Sequence, residues 1–167
     1  LEKFYENNRN WTVRIKKALE NDRVVPFYQG IYDTKTNKIE KYECLVRLIG
    51  EDGKIYTPYF FLEIAKKSRQ YLAITRTVIE KSFEYFKDKN FEFNLNLTLE
   101  DMIDLKMREF ILQKLTQYNI GSRVVFEIVE SEEIANFDEI NDFIANLREL
   151  GCNIAIDDFG SGYSNFA

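Results

Sequence analysis

Near the N-terminus, the spacing of apolar residues changes from a helical period to strand-like alternation. Four apolar residues lie at the spacing of one helix face: Trp11, Ile15, Ala18 and Leu19. They predict an amphipathic helix over residues 7–20. Two β-rich runs, Val24 to Tyr32 and Ile39 to Ile49, then flank a polar stretch. We expect these two runs to form an antiparallel hairpin.

Helices and strands alternate through the rest of the chain. Apolar positions over residues 58–88 predict two helices in series, the first beginning at Pro58. Further strands and helices follow over Phe91–Leu97, 101–118, Arg123–Val129, 137–149 and Asn153–Asp157. This alternation is typical of parallel strands covered by helices. We therefore predict an α/β domain with five strands, the first antiparallel to the others.

A carboxylate or an amide ends each of the four later apolar runs. These residues are Glu43, Asn96, Glu127 and Asp157, and the last three follow one another at intervals of 31 and 30 residues. One strand–helix–strand unit takes about 30 residues, so their side chains are expected to meet at the carboxyl ends of parallel strands. Sites of α/β proteins are built there. Simple solvation of strand ends is the alternative for any one of them.

The strand around Glu43 places charged residues beside an apolar one. Alternation puts Glu43, Leu45 and Arg47 on one face. If that face points into a barrel, the buried acid and base need partners, and a metal ion and a phosphate would supply both. If it points to solvent, the two charges are an exposed pair.

Composition and charge exclude several classes of protein. The 167 residues contain no histidine, which excludes Ser-His-Asp hydrolases and His-ligated zinc sites. The net charge of −5 argues against long nucleic acids as partners. Cys44 and Cys152 lie in apolar runs and are expected to be buried. The first residues lack a signal peptide's apolar stretch, no run is long enough for a membrane helix, and we expect a cytoplasmic protein.

The candidate residues offer only oxygen donors, which suit Mg²⁺ or Mn²⁺ rather than zinc. Asp157 and Asp158 are adjacent at a predicted strand end, where together they can serve two metal ions, and a glycine-containing turn follows them. Two such ions about 3.5 to 4 Å apart are a known device for phosphodiester hydrolysis. Metal-assisted hydrolysis also requires no histidine.

Five segments in order resemble the motifs of the EAL domain, a bacterial phosphodiesterase that opens cyclic di-GMP to the linear dinucleotide. They are Glu43-Cys44-Leu45-Val46-Arg47, Thr57-Pro58-Tyr59-Phe60-Phe61, Asn96-Leu97-Thr98, Glu127-Ile128-Val129-Glu130-Ser131 and Asp157-Asp158-Phe159-Gly160-Ser161-Gly162-Tyr163-Ser164. The resemblance covers nearly the whole chain. It implies a TIM-like (β/α)₈ barrel of the EAL type with an antiparallel first strand.

The resemblance also implies a role for each matching residue. The implied metal ligands are Glu43, Asn96, Glu127, Asp157 and Asp158. Arg47 would contact a ligand phosphate, while Gln29, Leu45 and Pro58 would line the dinucleotide site. Glu130 would order the loop after Asp158. For Glu130 and Pro58, a helix cap and a helix start remain the alternatives.

The length of the chain limits what the resemblance implies. A (β/α)₈ barrel takes about 250 residues, so residues 1–167 are expected to be an EAL domain truncated after about five strands. The family's downstream lysine and second glutamate, the latter thought to activate water, would lie beyond Ala167. The chain also does not begin with Met, which suggests a piece of a longer parent. Alone it would be inactive, and its open sheet edge would pair with a second copy or with the missing half of the barrel.

Three functional hypotheses follow. In the first, the parent is an active cyclic di-GMP phosphodiesterase that uses Mg²⁺ or Mn²⁺. In the second, it is a degenerate EAL domain that binds cyclic di-GMP or a partner protein without hydrolysis. In the third, the chain is a truncated product whose sheet edge drives self-association.

Overall fold

The computed structural model describes residues 2–129 and 137–157 and shows helices packed against a mixed β-sheet. The helices are α1 (Glu2–Glu20), α2 (Pro58–Lys67), α3 (Tyr71–Phe86), α4 (Leu99–Ile103), α5 (Leu105–Tyr118) and α6 (Asp138–Glu149), with a 3₁₀ turn at Gly121–Arg123. The strands are β1 (Val24–Asp33), β2 (Lys38–Ile49), β3 (Ile55–Tyr56), β4 (Glu92–Leu97), β5 (Val124–Val129) and β6 (Asn153–Asp157). The α/β class predicted from the sequence is confirmed.

The sheet has the order β1-β2-β4-β5-β6, with β3 paired to the end of β2. Strand β1 is antiparallel to β2, whereas β2, β4, β5 and β6 run parallel. The predicted hairpin and parallel strands are therefore confirmed. The predicted count of five strands is wrong for the described residues, because β3 adds a sixth strand. A strand of two residues is too short to show alternation, so the sequence pattern does not reveal it.

The predicted helix over residues 101–118 is two helices that meet at Asp104. The backbone of Asp104 is extended, with ψ at 116°, and its carboxylate accepts a hydrogen bond from the Met107 N–H at the start of α5. Helix α4 begins at a capping box in which Thr98 and Asp101 bond each other's backbone N–H groups. Two N-terminal caps, Thr98 and Asp104, thus replace one continuous helix.

The hydrophobic core lies between the sheet and its helices. Phe86 of α3 stacks on Phe93 of β4 with ring centroids 4.5 Å apart, and both side chains are fully buried. Phe126 of β5 and Phe143 of α6 extend the same cluster. Since the helices cover this face, the other face of the parallel strands carries the polar residues.

None of the helices in the described part of the chain combines the length and the apolar composition needed to span a bilayer.

Candidate active site

A row of paired residues crosses five strands on the face away from the helices. In the sheet register, Gln29 pairs with Glu43, Glu43 with Asn94, Asn94 with Val125, and Val125 with Asn153. Paired residues on neighbouring strands point to the same face of a sheet. The register therefore brings Gln29 and Glu43, which are 14 positions apart, onto one surface with Asn94.

The next row on this face carries two more of the predicted ligands. Asn96 pairs with Glu127, and Glu127 pairs with Ala155. The backbone of Asp157 pairs with Val129, two residues beyond Glu127 along β5. Asn96, Glu127 and Asp157 thus lie near the carboxyl ends of β4, β5 and β6, as expected. Glu43 does not end its strand, because β2 continues for six residues to Ile49, so its expected position is wrong.

One hydrogen bond joins the two rows. Asn94 Nδ2 donates to Glu127 Oε1 at 2.7 Å, and Asn94 is only 7% exposed. The other amide atom, Asn94 Oδ1, is buried and accepts no hydrogen bond from the described residues. A buried acceptor without a hydrogen bond costs about 1–3 kcal/mol, so this oxygen does not stabilise the fold. One carboxylate oxygen of Glu43 is buried as well.

The predicted dinucleotide-binding residues lie around these rows. Leu45 is buried and pairs with Phe27, while Arg47 is partly buried and pairs with Val25. Burial lowers the pKa of the Arg47 guanidinium. Gln29 is exposed at the sheet surface.

A small cavity lies between strands β2 and β4 and helices α2 and α3. It has a volume of about 50 Å³, and its lining includes Cys44, Pro58, Tyr71, Thr75 and Asn96. Pro58 is the first residue of α2, as its helix-start alternative predicts, and it also borders the same space as Asn96. One predicted binding residue and one predicted metal ligand therefore share this cavity.

Several predicted residues lie partly or wholly outside the described structure. Asp158 and Glu130 fall outside the described residues, and Asp157 is described only in its backbone. Their predicted roles stay predictions.

The described side chains fit a site for hard divalent cations. Glu43, Asn96 and Glu127 offer only carboxylate and amide oxygens, which Mg²⁺ and Mn²⁺ prefer. Among residues 2–129 and 137–157, no three acidic, thiol or imidazole groups lie close enough together to hold an ion by themselves. The predicted set of metal ligands also includes Asp157 and Asp158. The complete set therefore stays a prediction.

A second buried carboxylate lies behind the site. Asp101 is fully buried, and its Oδ2 accepts hydrogen bonds from the Thr98 N–H at 3.0 Å and from the Tyr71 hydroxyl at 3.1 Å. Burial raises the pKa of Asp101 to about 6, against the opposing effect of these donors. Asp101 thereby fixes the turn that follows Asn96 to helix α3.

The thiols contribute no charge to this site, although Cys44 lines the small cavity. Cys44 and Cys152 are free and buried, as predicted, and burial raises the pKa of each thiol to about 12. Both cysteines are therefore protonated at neutral pH and serve as small apolar residues.

The EAL domain family model matches residues 12–167 of the chain. The chain belongs to the EAL domain family. The family expected from the sequence motifs is thus confirmed, and the α/β fold with an antiparallel first strand agrees with it.

Curated relatives of this EAL domain include the signalling protein YkoW of Bacillus subtilis, 27% identical over 95% of the chain. Cyclic di-GMP phosphodiesterase PdeF of Escherichia coli is 29% identical over 92% of the chain, and cyclic di-GMP phosphodiesterase PdeB of Shewanella oneidensis is 30% identical over 98%. The chain spans about a fifth of the length of these relatives, namely 20%, 21% and 20%.

Solved EAL domains share the fold. The Xanthomonas citri FimX EAL domain in complex with cyclic di-GMP has a TM-score of 0.81 and 21% identity, covering 99% of this chain and 67% of that one. The EAL domain protein from Listeria monocytogenes has a TM-score of 0.76 and 24% identity, covering 92% and 62%. At these identities the likeness shows the fold.

Sequence reasoning missed Asn94. The segment Asn94-Leu95-Asn96-Leu97 alternates polar and apolar residues, so Asn94 shares the face of Asn96. That alternation was the available signal. The alternation does not show the register between β4 and β5, and this register brings the Asn94 amide to Glu127.

Proposed function

We propose that the protein to which this chain belongs hydrolyses cyclic di-GMP to the linear dinucleotide in a metal-dependent reaction. The observation that carries the proposal is that Glu43 and Glu127 lie on one face of parallel strands, with Asn94 paired to Glu43 in the sheet register and bonded to Glu127 at 2.7 Å. The relatives PdeF and PdeB are cyclic di-GMP phosphodiesterases, which supports cyclic di-GMP as the proposed substrate. The Xanthomonas citri FimX EAL domain, solved in complex with cyclic di-GMP, supports it too.

The proposed ligands of two Mg²⁺ or Mn²⁺ ions are Glu43, Asn96, Glu127, Asp157 and Asp158. When bound, such ions stabilise the negative charge that develops at a phosphodiester and lower the pKa of a water molecule. The protein's own part is to hold the oxygen donors on hydrogen-bonded strands of one sheet. It also shields one oxygen of Glu43 from water, which strengthens its attraction for a cation.

The remaining site residues would bind the dinucleotide. Arg47 is partly buried, and its fixed positive charge suits a phosphate oxygen. Gln29, Leu45 and Pro58 would line the bases and sugars, and Glu130 would order the loop after Asp158. We place the reaction in the cytoplasm, since both cysteines are free.

We propose that residues 1–167 form part of an EAL domain and that turnover needs the longer protein. The chain covers 67% of the FimX chain and 62% of the Listeria chain, which supports this assignment. The general base is therefore sought outside these residues, and none of them is proposed as the base.

The test measures cyclic di-GMP hydrolysis with Mg²⁺ or Mn²⁺, comparing the 167-residue chain with the longer parent at equal concentration. Turnover by the parent alone supports the proposal. Turnover by neither contradicts it, and binding of cyclic di-GMP without hydrolysis would then favour a non-catalytic receptor. A concentration-dependent mass of the chain alone would indicate self-association through its sheet edge.

Substitution of the glutamates tests the site itself. In the parent, Glu43→Gln and Glu127→Gln are each expected to lower turnover by at least about 100-fold, since a neutral amide loses the charge that holds a divalent cation. Glu109→Gln is the matched control, because Glu109 is an exposed residue on α5. Activity of Glu127→Gln equal to that of the control would refute the assignment.

A further inference from the structure

Asn94 lies between the two glutamates of the proposed site. It pairs with Glu43 of β2 in the sheet register, and its Nδ2 donates to Glu127 Oε1 of β5 at 2.7 Å. The Asn94 residue is 7% exposed, so the donor end of this hydrogen bond is shielded from water. The bond is therefore stronger than one at the surface.

The chemistry of an amide suits this place. Its N–H group restrains a carboxylate without cancelling the negative charge, whereas a lysine would neutralise that charge and an aspartate would repel it. Only the amide nitrogen can face Glu127 Oε1, because the carbonyl oxygen would meet it with like partial charge. A carboxylate has about four acceptor sites, and the bond from Asn94 uses one of them.

We propose that Asn94 is a positioning residue that holds the Glu127 carboxylate ready for a divalent cation. The inference rests on the proposed function and concerns a residue outside the predicted ligand set. Partners that orient the ligands of a metal site are worth about 10–100-fold in metal affinity.

The buried state of Asn94 allows the positioning role to be separated from a structural one. Asn94 Oδ1 is buried and accepts no hydrogen bond from the described residues. Asn94→Leu therefore keeps the branched shape of the side chain, removes this unsatisfied acceptor and deletes the bond to Glu127. Its urea unfolding midpoint without metal is expected at or above that of the unchanged protein, while its cation affinity falls.

The experiment measures binding of Mn²⁺ alone to the intact protein, with free Mn²⁺ counted by electron paramagnetic resonance. Asn94→Ala and Asn94→Leu are each expected to raise the Mn²⁺ dissociation constant at least 10-fold. Asn153→Ala is the matched control, because Asn153 is an exposed amide in the same row, two strands away. Its dissociation constant is expected within twofold of the unchanged protein.

Each contrary outcome has a separate meaning. If the unchanged protein binds Mn²⁺ and Asn94→Leu binds it equally well, the positioning role is wrong and the metal site stands. If Asn94→Leu loses stability in proportion to its loss of affinity, the residue is structural and the inference fails. If the unchanged protein binds no Mn²⁺, the metal requirement of the proposed function fails, and the inference fails with it.

Discussion

At the scale of single residues, burial decides the chemistry of the acidic groups around the site. Asp101 is fully buried, whereas Glu127 is partly exposed. Three donor groups meet one oxygen of Asp101, namely the Thr98 N–H, the Thr98 hydroxyl and the Tyr71 hydroxyl. Even so, loss of hydration outweighs these bonds and raises the pKa of Asp101 to about 6.

This shift predicts a pH dependence of stability. The pKa of Asp101 is about 6 in the folded protein and near 3.8 when unfolded. Because the folded value is the higher one, its contribution to the free energy of unfolding is fully present below pH 3.8 and is lost as pH rises through 6. The loss amounts to at most about 3 kcal/mol. The Asp101→Asn variant is expected to lack this loss of stability, because an amide does not ionise.

The measurement is urea unfolding of the unchanged protein and of Asp101→Asn between pH 4 and pH 7. The difference between their free energies of unfolding isolates Asp101, because other titrating groups contribute equally to both. As pH rises over this range, the free energy of unfolding of Asp101→Asn is expected to increase relative to that of the unchanged protein. A constant difference would contradict the assigned shift.

At the scale of secondary-structure elements, α1 docks through a narrow apolar face. Ile15 and Ala18 are fully buried, and the Trp11 ring lies 6.3 Å from that of Phe61 in α2. The guanidinium of Arg14 covers the same Trp11 ring at 3.8 Å. The helix is therefore part of the domain and not a detached linker.

Truncation of this face tests the docking of α1. Ile15→Ala is expected to lower the free energy of unfolding by about 2–5 kcal/mol, because a buried aliphatic side chain leaves a cavity. Val13→Ala on the same helix is the matched control, since Val13 is 47% exposed. It is expected to change stability by no more than about 0.5 kcal/mol. Equal urea midpoints for the two variants would show that α1 does not pack as described.

At the scale of the whole molecule, charge limits the partners. The net charge is −5, which gives little attraction for a long polyphosphate chain. Under the proposed function, a compact ligand with few phosphates would instead depend on local groups such as Arg47 and on divalent cations. The net charge thus disfavours long nucleic acids, whereas the local positive charge of Arg47 suits a small phosphate-bearing ligand.

A binding measurement tests this distinction. Fluorescence anisotropy of a labelled 20-base-pair DNA duplex is expected to stay constant with up to roughly 100 µM protein, the upper end of non-specific dissociation constants. A basic DNA-binding domain run in parallel serves as the positive control. Binding that weakens steeply with added salt would contradict the prediction, because it would reveal a phosphate-binding face.

The sequence by itself determined the elements and the candidate residues. Periodicity predicted the hairpin, the helix pair and the parallel strands, because each depends on neighbouring residues along the chain. The polar candidates Glu43, Asn96 and Glu127 were identified in the same way, although Glu43 lies in the middle of β2 and not at its end. Their motifs indicated the family, which the family model confirms.

Only the tertiary structure decided what depends on register and close approach. The bond from Asn94 to Glu127 joins residues 33 positions apart, and local patterning carries no information about which rows of two strands align. Likewise, Gly121 is required because a β-carbon there would lie 2.1 Å from the Leu150 carbonyl oxygen. Periodicity reports which face a residue shares, whereas the folded chain alone sets which distant groups meet across it.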